Sequence, residues 1–358
     1  MTTKSSPALL IASIEPYSGK SGTIVGLAHL LKQRNIVFNY GKPIGTSIND
    51  EQGRSEEEDI KFMSQVLGLP ESAIQLPLVY LEPDTIEKRL RGIDTGDYTG
   101  QLPQYLQGRG EKLLLLEGAG TLWEGNSFDL SVTQISNQFH IPVLLVTRYT
   151  SPLIVDSLIK AKQDLGNNLI GVVINDVPVG ELEDVQALMT PYLARQGIEV
   201  LGMLPSSKLL RSVSVREIVH QLGATVLCRP DRLDWLVESL AIGAMNVNAA
   251  LEYFRKGENM AVVTGGDRSD LQLAALETST SCLILTGNIP PDPRILSRAE
   301  DLEVPMLSVN LDTLTTVEIV DRAFGTVRFQ EQIKVECIQQ MMTEHFAIDR
   351  LIEKLTIT

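Results

Sequence analysis

Six short apolar runs occur in the first two hundred residues, and the segments between them carry apolar residues at helical spacing. Apolar runs without alternation are typical of strands that are covered on both faces, as in a parallel sheet. Such strands alternating with helices predict an α/β domain built on a parallel sheet. The six runs are Ala8 to Ile14, Ile36 to Tyr40, Leu113 to Leu116, Val143 to Val146, Leu169 to Ile174 and Val200 to Leu204.

The chain of 358 residues is too long for one ordinary hydrophobic core, so two domains are expected. A second, smaller α/β unit begins near Ser214. Its predicted elements are the helices Val215 to Leu222, Asn246 to Phe254 and Leu271 to Leu276, and the strands Ala224 to Cys228, Ala261 to Thr264, Cys282 to Leu285 and Met306 to Val309. From Phe329 to Leu355 the spacing predicts a helical tail, which either serves a contact between subunits or covers the second domain. The predicted domains are residues 1–212, 213–328 and 329–358.

Charge and the lengths of the apolar runs limit the partners of the chain. A formal charge of -14 without any run of Lys and Arg repels phosphate backbones, so nucleic acid is not expected as a partner. No apolar run is long enough to span a bilayer, and the start of the chain lacks a signal-peptide pattern, so we expect a cytoplasmic protein. The widely spaced Cys228, Cys282 and Cys337 indicate buried free thiols rather than disulfides or a zinc site.

The first apolar run leads into a loop that ends in Gly19-Lys20-Ser21 and then into an amphipathic helix, which is predicted to start at Gly22. In this context backbone N–H groups point at phosphates, the lysine reaches the β/γ oxygens and the serine hydroxyl reaches magnesium. An ordinary strand-to-helix turn with a solvated lysine is the alternative, because Ile14 replaces the first glycine of the motif and Glu15 adds a negative charge. The residues predicted to hold the phosphates are Ser18, Gly19, Lys20, Ser21 and Gly22.

Two further strand ends carry polar residues. Lys42 follows the second run, and Glu117 ends the third run and is followed by Gly118-Ala119-Gly120. Ligands of open α/β sheets bind at the carboxyl ends of strands. A carboxylate at that edge can hold magnesium, and the glycines let the backbone pass close to a nucleotide.

These segments together resemble the dethiobiotin synthetase family and its relatives, the cobyrinic acid amide synthetases and the N-terminal domain of long bacterial phosphotransacetylases. The matching pieces, in the family order, are Gly19-Lys20-Ser21, Lys42-Pro43-Ile44, Glu117 to Gly120, Asn175-Asp176-Val177 and Leu201 to Pro205. The family also has an acid at the position of Glu15 and no glycine at that of Ile14, which favours the phosphate-loop interpretation.

The resemblance implies ATP and Mg²⁺ as cofactors. Lys20 would bind phosphate, and Ser21, Glu117 and Asp59 would hold the metal, although Glu57 or Glu58 could replace Asp59 and a solvated helix start there is an open alternative. Asn175 would face the adenine base, with Pro205 also at the nucleotide. Lys42 would be catalytic together with Lys20, since it matches the lysine that faces the carbamate and the transferred phosphoryl group.

The sequence also departs from these families. Glu82-Pro83 is followed by Asp84 to Arg89 and not by the Thr-Ser-Pro-His pattern that closes the diamine site of dethiobiotin synthetase, so a biotin precursor is not the implied substrate. None of the three cysteines has the setting of a glutaminase nucleophile. No acetyltransferase catalytic domain is recognised after the second unit.

A second glycine loop, Gly265-Gly266-Asp267-Arg268, connects a strand of the second unit to a helix. Its N–H groups and Arg268 could receive an anion, with Asp267 or Ser269 as the helix N-cap. The alternative is a capped turn whose Arg268 makes a structural ion pair. The stretch from about Ser214 to Arg328 resembles the DRTGG domain, which accompanies P-loop domains or nucleotide-sensing modules of regulated pyrophosphatases and often lies at a dimer interface.

Three functions are compatible with these residues. The first is a regulatory protein that binds ATP with weak or no ATPase activity, while the second domain responds to an unknown small-molecule effector or protein partner. The second is an ATP-dependent ligase or kinase that activates a small carboxylate as an acyl phosphate. The third is a degenerate scaffold that binds no nucleotide. A homodimer is expected because relatives of both domains pair with themselves.

Overall fold

A computed structural model describes residues 7–45, 56–107, 112–325 and 331–355 of the chain. Contacts divide the chain into two compact units. The first consists of Met1–Ser206 together with Phe329–Thr358, and the second of Ser207–Arg328. The domain ranges 1–212, 213–328 and 329–358 remain predictions from the sequence.

The first unit is built on a parallel sheet of seven strands in the order β4-β2-β6-β1-β7-β8-β9, and β3 pairs with β5 apart from it. The strands are β1 (Ala8–Ser13), β2 (Phe38–Gly41), β3 (Ile44–Gly45), β4 (Ile74–Gln75), β5 (Val79–Tyr80), β6 (Leu113–Glu117), β7 (Val143–Arg148), β8 (Leu169–Val177) and β9 (Val200–Pro205). All five residues of β6 are buried, as the continuous apolar run requires. The predicted α/β fold with a parallel sheet is confirmed.

Seven helices of the first unit connect these strands. They are α1 (Lys20–Gln33), α2 (Glu56–Leu67), α3 (Pro83–Leu90), α4 (Leu102–Leu106), α5 (Val132–Phe139), α6 (Ile154–Leu165) and α7 (Leu182–Arg195). Helix α5 has a complete capping box, in which Ser131 and Gln134 satisfy each other's backbone N–H groups. The cap satisfies backbone N–H groups that would otherwise lack partners at the start of the helix.

The helix after the phosphate loop differs from the prediction in two respects. It begins at Lys20 rather than Gly22, because Gly19 adopts a left-handed conformation with φ of 100° and so starts the helix earlier. The prediction of an amphipathic helix is also wrong: nearly every residue from Gly22 to Leu31 is buried. The helix is therefore covered on more than the face that meets the sheet.

The second unit contains a sheet of five strands in the order β11-β16-β15-β14-β13, in which only β11 is antiparallel to its neighbour. Its strands are β10 (Val213–Ser214), β11 (Thr225–Cys228), β12 (Leu236–Val237), β13 (Ser239–Gly243), β14 (Met260–Gly265), β15 (Thr280–Thr286) and β16 (Met306–Ser308). Its helices are α8 (Lys208–Arg211), α9 (Val215–Leu222), α10 (Val247–Phe254), α11 (Ser269–Leu276), α12 (Pro293–Asp301) and α13 (Thr313–Gly325). The predicted second α/β unit is confirmed, although the sequence prediction omitted β13, α12 and α13.

The tail forms two helices, α14 (Gln332–His345) and α15 (Ile348–Leu355), as predicted. They pack on the first unit, so the suggestion that the tail covers the second domain is wrong. A methyl group added at Gly26 of α1 would lie 2.3 Å from Cγ of Met342 in α14. The backbone N–H of Ala347 also donates to the carbonyl of Leu201 at 2.7 Å. The tail thus supplies the second cover that buries α1.

Cys228 and Cys282 are buried free thiols, as expected, and Cys337 is half-buried. Burial raises the pKa of both the Cys228 and the Cys282 thiol, which keeps them protonated and unreactive. In the part of the chain that the structure describes, no helix is long and apolar enough to cross a membrane.

Candidate functional site

The phosphate loop joins β1 to α1 at the carboxyl edge of the first sheet. Strand β1 lies between β6 and β7, and β2 lies on the far side of β6. The chain therefore places β2 on one side of β1 and later places β7 on the other side. Such a reversal of strand order opens a crevice above the strand ends, which is where open α/β sheets bind their ligands.

Lys20 lies at the base of this crevice with its ammonium group turned inwards. Nζ donates to Oγ of Ser13 at 2.7 Å and to the carbonyl of Gly120 at 3.3 Å. Burial lowers the pKa of Lys20, the carboxylates of Glu117 and Glu124 oppose that shift, and Lys42 adds to it. Its two hydrogen-bond acceptors are neutral, so phosphate oxygens could replace them with a gain in electrostatic attraction.

Ser18 and Gly19 form the part of the loop that would face the phosphates. The side chain of Ser18 is only 1% exposed, and its Oγ has no hydrogen-bond partner. A buried hydroxyl without a partner is costly in a folded chain, and an incoming acceptor would relieve that cost. The loop therefore has an unsatisfied donor in the place where the sequence predicts a phosphate.

Asn175 braces this loop from the end of β8. Its Nδ2 donates to the carbonyl of Ser18 at 3.0 Å. A methyl group added at Gly19 would lie 2.4 Å from the same nitrogen, so the approach requires glycine. The structure thus brings Asn175 to the phosphate loop, and its predicted role towards the adenine base remains a prediction.

The negative charge of Glu15, which counted against a phosphate loop, is bound within the protein. Oε1 of Glu15 accepts a hydrogen bond from the backbone N–H of Arg148 at 3.1 Å. Nη2 of Arg148 donates to the carbonyl of Tyr17 at 3.1 Å. Sequence reasoning missed Arg148, whose only signal is its position as the last residue of β7.

Glu117, at the end of β6, is 7% exposed and receives a hydrogen bond on each carboxylate oxygen. Oγ of Ser21 donates to Oε1 at 2.8 Å, and the hydroxyl of Tyr40 donates to Oε2 at 2.6 Å. Neighbouring ligands of an octahedral Mg²⁺ lie about 2.9 Å apart when each stands about 2.0–2.1 Å from the ion. The separation of the Ser21 and Glu117 oxygens therefore fits two adjacent ligands of a small octahedral cation.

The remaining metal ligands of such an ion would have to come from phosphate oxygens, water or residues beyond this pair. Among the described side chains, no group of three or more His, Cys, Asp and Glu could hold a metal ion. Asp59 lies on α2, but its side chain, like those of Glu57 and Glu58, is outside the described residues. The predicted role of Asp59 therefore remains a prediction.

Two other predicted residues differ in their distance from the loop. Lys42 follows β2, and its positive charge adds to the lowering of the Lys20 pKa, so the two ammonium groups interact electrostatically. Pro205 ends β9 and pairs with Val177. Strand β9 is three places from β1 in the sheet, roughly 14 Å away at the usual strand spacing. Gly22 is buried within α1.

The basic residue of the second glycine loop, Arg268, is paired within the protein. The guanidinium of Arg268 contacts both carboxylate oxygens of Asp270 at 3.1 Å and donates to the carbonyl of Met245 at 3.1 Å. The prediction that Asp267 or Ser269 caps α11 is wrong, because the N-cap position is Arg268 and no side chain accepts a cap hydrogen bond. The structural ion pair, one of the two alternatives, is thus formed, and a ligand at Gly265 to Arg268 remains a prediction.

Strand order, the glycine loop after β1 and the placement of Lys20, Ser21 and Glu117 define a P-loop α/β protein with a second α/β domain. The chain belongs to the AAA domain family, whose model matches residues 7–214. A model of the DRTGG domain matches residues 217–323. A P-loop domain followed by a DRTGG domain, as the sequence predicts, is therefore confirmed.

Three known proteins illustrate the similarity. The phosphate acetyltransferase of Synechocystis is 26% identical over 82% of this chain and 44% of its own length, and that of Nitratidesulfovibrio vulgaris is 26% identical over 97% and 51%. The chain thus spans about half the length of these relatives. A crystal structure of the CBS and DRTGG domains from the regulatory region of Clostridium perfringens pyrophosphatase, complexed with the activator diadenosine tetraphosphate, covers 44% of this chain and 82% of that one, with 19% identity and a TM-score of 0.30.

Proposed function

We propose that this protein binds ATP with Mg²⁺ at the phosphate loop and acts as a regulatory protein with weak or no ATPase activity. The observation that carries the proposal is the state of the loop. Lys20 is held by neutral acceptors, and the buried Oγ of Ser18 has no partner. A bound triphosphate would place negative charge beside Lys20 and would offer an acceptor to the hydroxyl of Ser18.

Each residue of the proposed site has a separate role in binding ATP and the cation. Lys20 neutralises the β/γ oxygens, the N–H groups at the start of α1 point at the phosphates, and Asn175 keeps the loop in shape. Ser21 and Glu117 would hold the cation, which neutralises phosphate charge when bound. Glu15 is turned to Arg148 and does not oppose the ligand.

The regulatory part of the proposal rests on the second domain. Its match to the DRTGG model supports a sensory role, because that domain accompanies P-loop and nucleotide-sensing modules. We propose that it responds to a small-molecule effector or a protein partner, and that the protein acts in the cytoplasm. A ligand of the second domain must then bind the ATP-loaded and the ATP-free forms with different affinities.

Thermal melts of the full chain with Mg²⁺ and increasing ATP test the binding site. A ligand that binds only the native state stabilises it by about 2.7 kcal/mol at a free concentration one hundred times Kd. We expect this stabilisation in the parent and its loss in Lys20→Ala. Lys32→Ala is the matched control, because Lys32 lies on the same helix roughly 18 Å away and donates to Leu67.

The same melts distinguish the other functions. If Lys20→Ala and the parent respond to ATP equally, the phosphate-loop assignment is wrong. If neither responds, the result favours a degenerate scaffold that binds no nucleotide.

A ligase or kinase is a second candidate because the charge of Lys42 acts on Lys20, and two such ammonium groups could stabilise a phosphoryl group in transfer. Release of ADP that depends on an added small carboxylate, and that Lys42→Ala abolishes, would favour this candidate. Release of ADP that no carboxylate accelerates would favour the regulatory protein.

We also propose a homodimer, since relatives of both domains pair with themselves. Sedimentation of the full chain across micromolar concentrations should give twice the mass of 39.4 kDa. A single monomeric species at every concentration would contradict it.

A further inference from the structure

Tyr40 has no place in the motifs that identify the site, yet its hydroxyl contacts the carboxylate proposed as a metal ligand. The side chain is 2% exposed, and its hydroxyl donates to Oε2 of Glu117 at 2.6 Å. Oε1 of the same carboxylate accepts a hydrogen bond from the hydroxyl of Ser21 at 2.8 Å. The two oxygens of Glu117 therefore face two different partners.

The register of the sheet produces this contact. In the parallel pair of β2 and β6, Tyr40 is the partner of Leu115, which lies two residues before Glu117. Residues two apart in a strand project from the same face of the sheet, so Tyr40 and Glu117 share a face. Because the ring of Tyr40 is long, its hydroxyl reaches the carboxylate along the sheet.

We infer that Tyr40 is a positioning residue that holds Glu117 as a one-oxygen ligand and thereby favours Mg²⁺ over Ca²⁺. This inference rests on the proposed function, since it concerns the cation that accompanies the nucleotide. It adds a determinant of metal choice that lies outside the phosphate loop.

The physical reason lies in the coordination of the two ions. Ca²⁺ takes six to eight oxygen ligands and commonly binds both oxygens of a carboxylate, whereas Mg²⁺ requires a near-ideal octahedron. A cation that approached both oxygens of Glu117 would also approach the hydroxyl hydrogen that Tyr40 directs at Oε2. The hydrogen bond therefore disfavours two-oxygen coordination. Oε1 is left for the smaller ion because its donor, Ser21, is itself a proposed ligand whose hydroxyl hydrogen would turn away from a bound cation.

Tyr40→Phe tests this role because it removes one hydroxyl and keeps the ring. The full chain is titrated with Mg²⁺ or Ca²⁺ at constant ATP, and the metal concentration that gives half of the ATP-dependent stabilisation is measured by thermal melts. We expect Tyr40→Phe to raise this concentration about tenfold for Mg²⁺, the loss that follows removal of a partner of a metal ligand. The concentration for Ca²⁺ should change less, so the preference for Mg²⁺ narrows.

Tyr98→Phe is the matched control. The hydroxyl of Tyr98 also donates to a carboxylate, Oδ2 of Asp94 at 3.1 Å, but neither residue belongs to the proposed site. This variant should keep the metal preference of the parent. An equal change in both variants, or an unchanged ratio of Mg²⁺ to Ca²⁺ in Tyr40→Phe, would overturn the inference.

The parent protein provides a measurement that needs no variant. It should require at least about tenfold more Ca²⁺ than Mg²⁺ for the same stabilisation by ATP. Equal support by the two ions would overturn the inference and leave ATP binding intact. Absence of any ATP effect with either ion would overturn the proposed function, and this inference with it.

Discussion

The protein contains two glycine loops, each of which joins a strand in the interior of a sheet to a helix and carries one basic residue. In the first, Lys20 is half-buried and bonded to neutral acceptors. In the second, Arg268 is half-exposed and bonded to the carboxylate of Asp270. The two loops look alike in sequence but differ in what a new anion would have to displace.

The hydrogen bonding of the two loops differs in the same way. The first contains the unpartnered hydroxyl of Ser18, whereas in the second the side chain of Gln272 donates to the carbonyls of both Gly265 and Gly266. A methyl group on Gly266 would lie 2.4 Å from the carbonyl oxygen of Ile289. The second loop is thus packed against its own domain, and the first is braced by Asn175 but retains one unsatisfied hydroxyl.

The difference teaches that glycines and a basic residue before a helix do not by themselves make an anion site. An anion binds such a loop when the basic side chain has neutral partners and some hydrogen-bond donors lack an acceptor. If the basic side chain already pairs with a carboxylate, breaking that ion pair costs about as much free energy as the new anion returns. By this criterion the loop of the first unit is the better candidate for an anion site. In the second unit Arg268 forms an ion pair within the protein, and a ligand there remains a prediction.

Substitution of Gly266 in the second loop and of Gly120, which follows β6 and accepts from Lys20 of the first loop, should produce the largest measurable contrast. Gly266→Ala should lower the free energy of unfolding by about 1–3 kcal/mol, the usual cost of overpacking against a backbone that cannot move. Gly120→Ala should cost less than about 1 kcal/mol, because its methyl group meets only the carboxylate tip of Glu124, which can turn away. Calorimetric unfolding of both variants measures the two values.

The order of these two effects matters more than their size. A Gly120→Ala protein that is destabilised as much as Gly266→Ala would mean that the surroundings of Lys20 are as rigidly packed as the second loop. The contrast between the loops would then be lost.

Removal of Arg268 should have the smallest effect. Its ion pair with Asp270 is accessible to solvent, and such pairs add little to stability. Arg268→Ala should therefore keep the melting temperature and the ATP-dependent stabilisation of the parent. Calorimetric titration of nucleotides into both proteins, with and without saturating ATP, should give the same affinities.

A nucleotide that binds Arg268→Ala more weakly than the parent would break the comparison. It would give Arg268 the ligand-binding role that the motif suggested. If that weakening also depended on ATP, the two loops would be thermodynamically coupled, as the regulatory proposal requires.

Much of the fold was predictable from sequence because both sheets are buried. Continuous apolar runs located the core of each long strand. The structure extends several of them by one to three residues, as in β8, which continues from Ile174 to Val177, whereas β1 ends one residue earlier than predicted, at Ser13. Strand β13 escaped prediction because it is an edge strand whose residues are mostly half-exposed, so it lacks a continuous apolar run. The left-handed Gly19 moved the start of α1 for a local reason that the apolar pattern does not report.

The sequence by itself determined the residues that a short motif brings together, and for the candidate site these were Lys20, Ser21 and Glu117. Lys20 and Ser21 follow the loop after β1, and Glu117 ends β6, so all three are expected at the carboxyl edge of the sheet. Only the tertiary structure decided the contacts made from other strands, such as those of Tyr40 and Arg148. Likewise, only packing of the tail explains why α1 is buried almost all round. The physical reason is that register and long-range packing join residues far apart in the chain, and no local pattern of residues encodes which of them will meet.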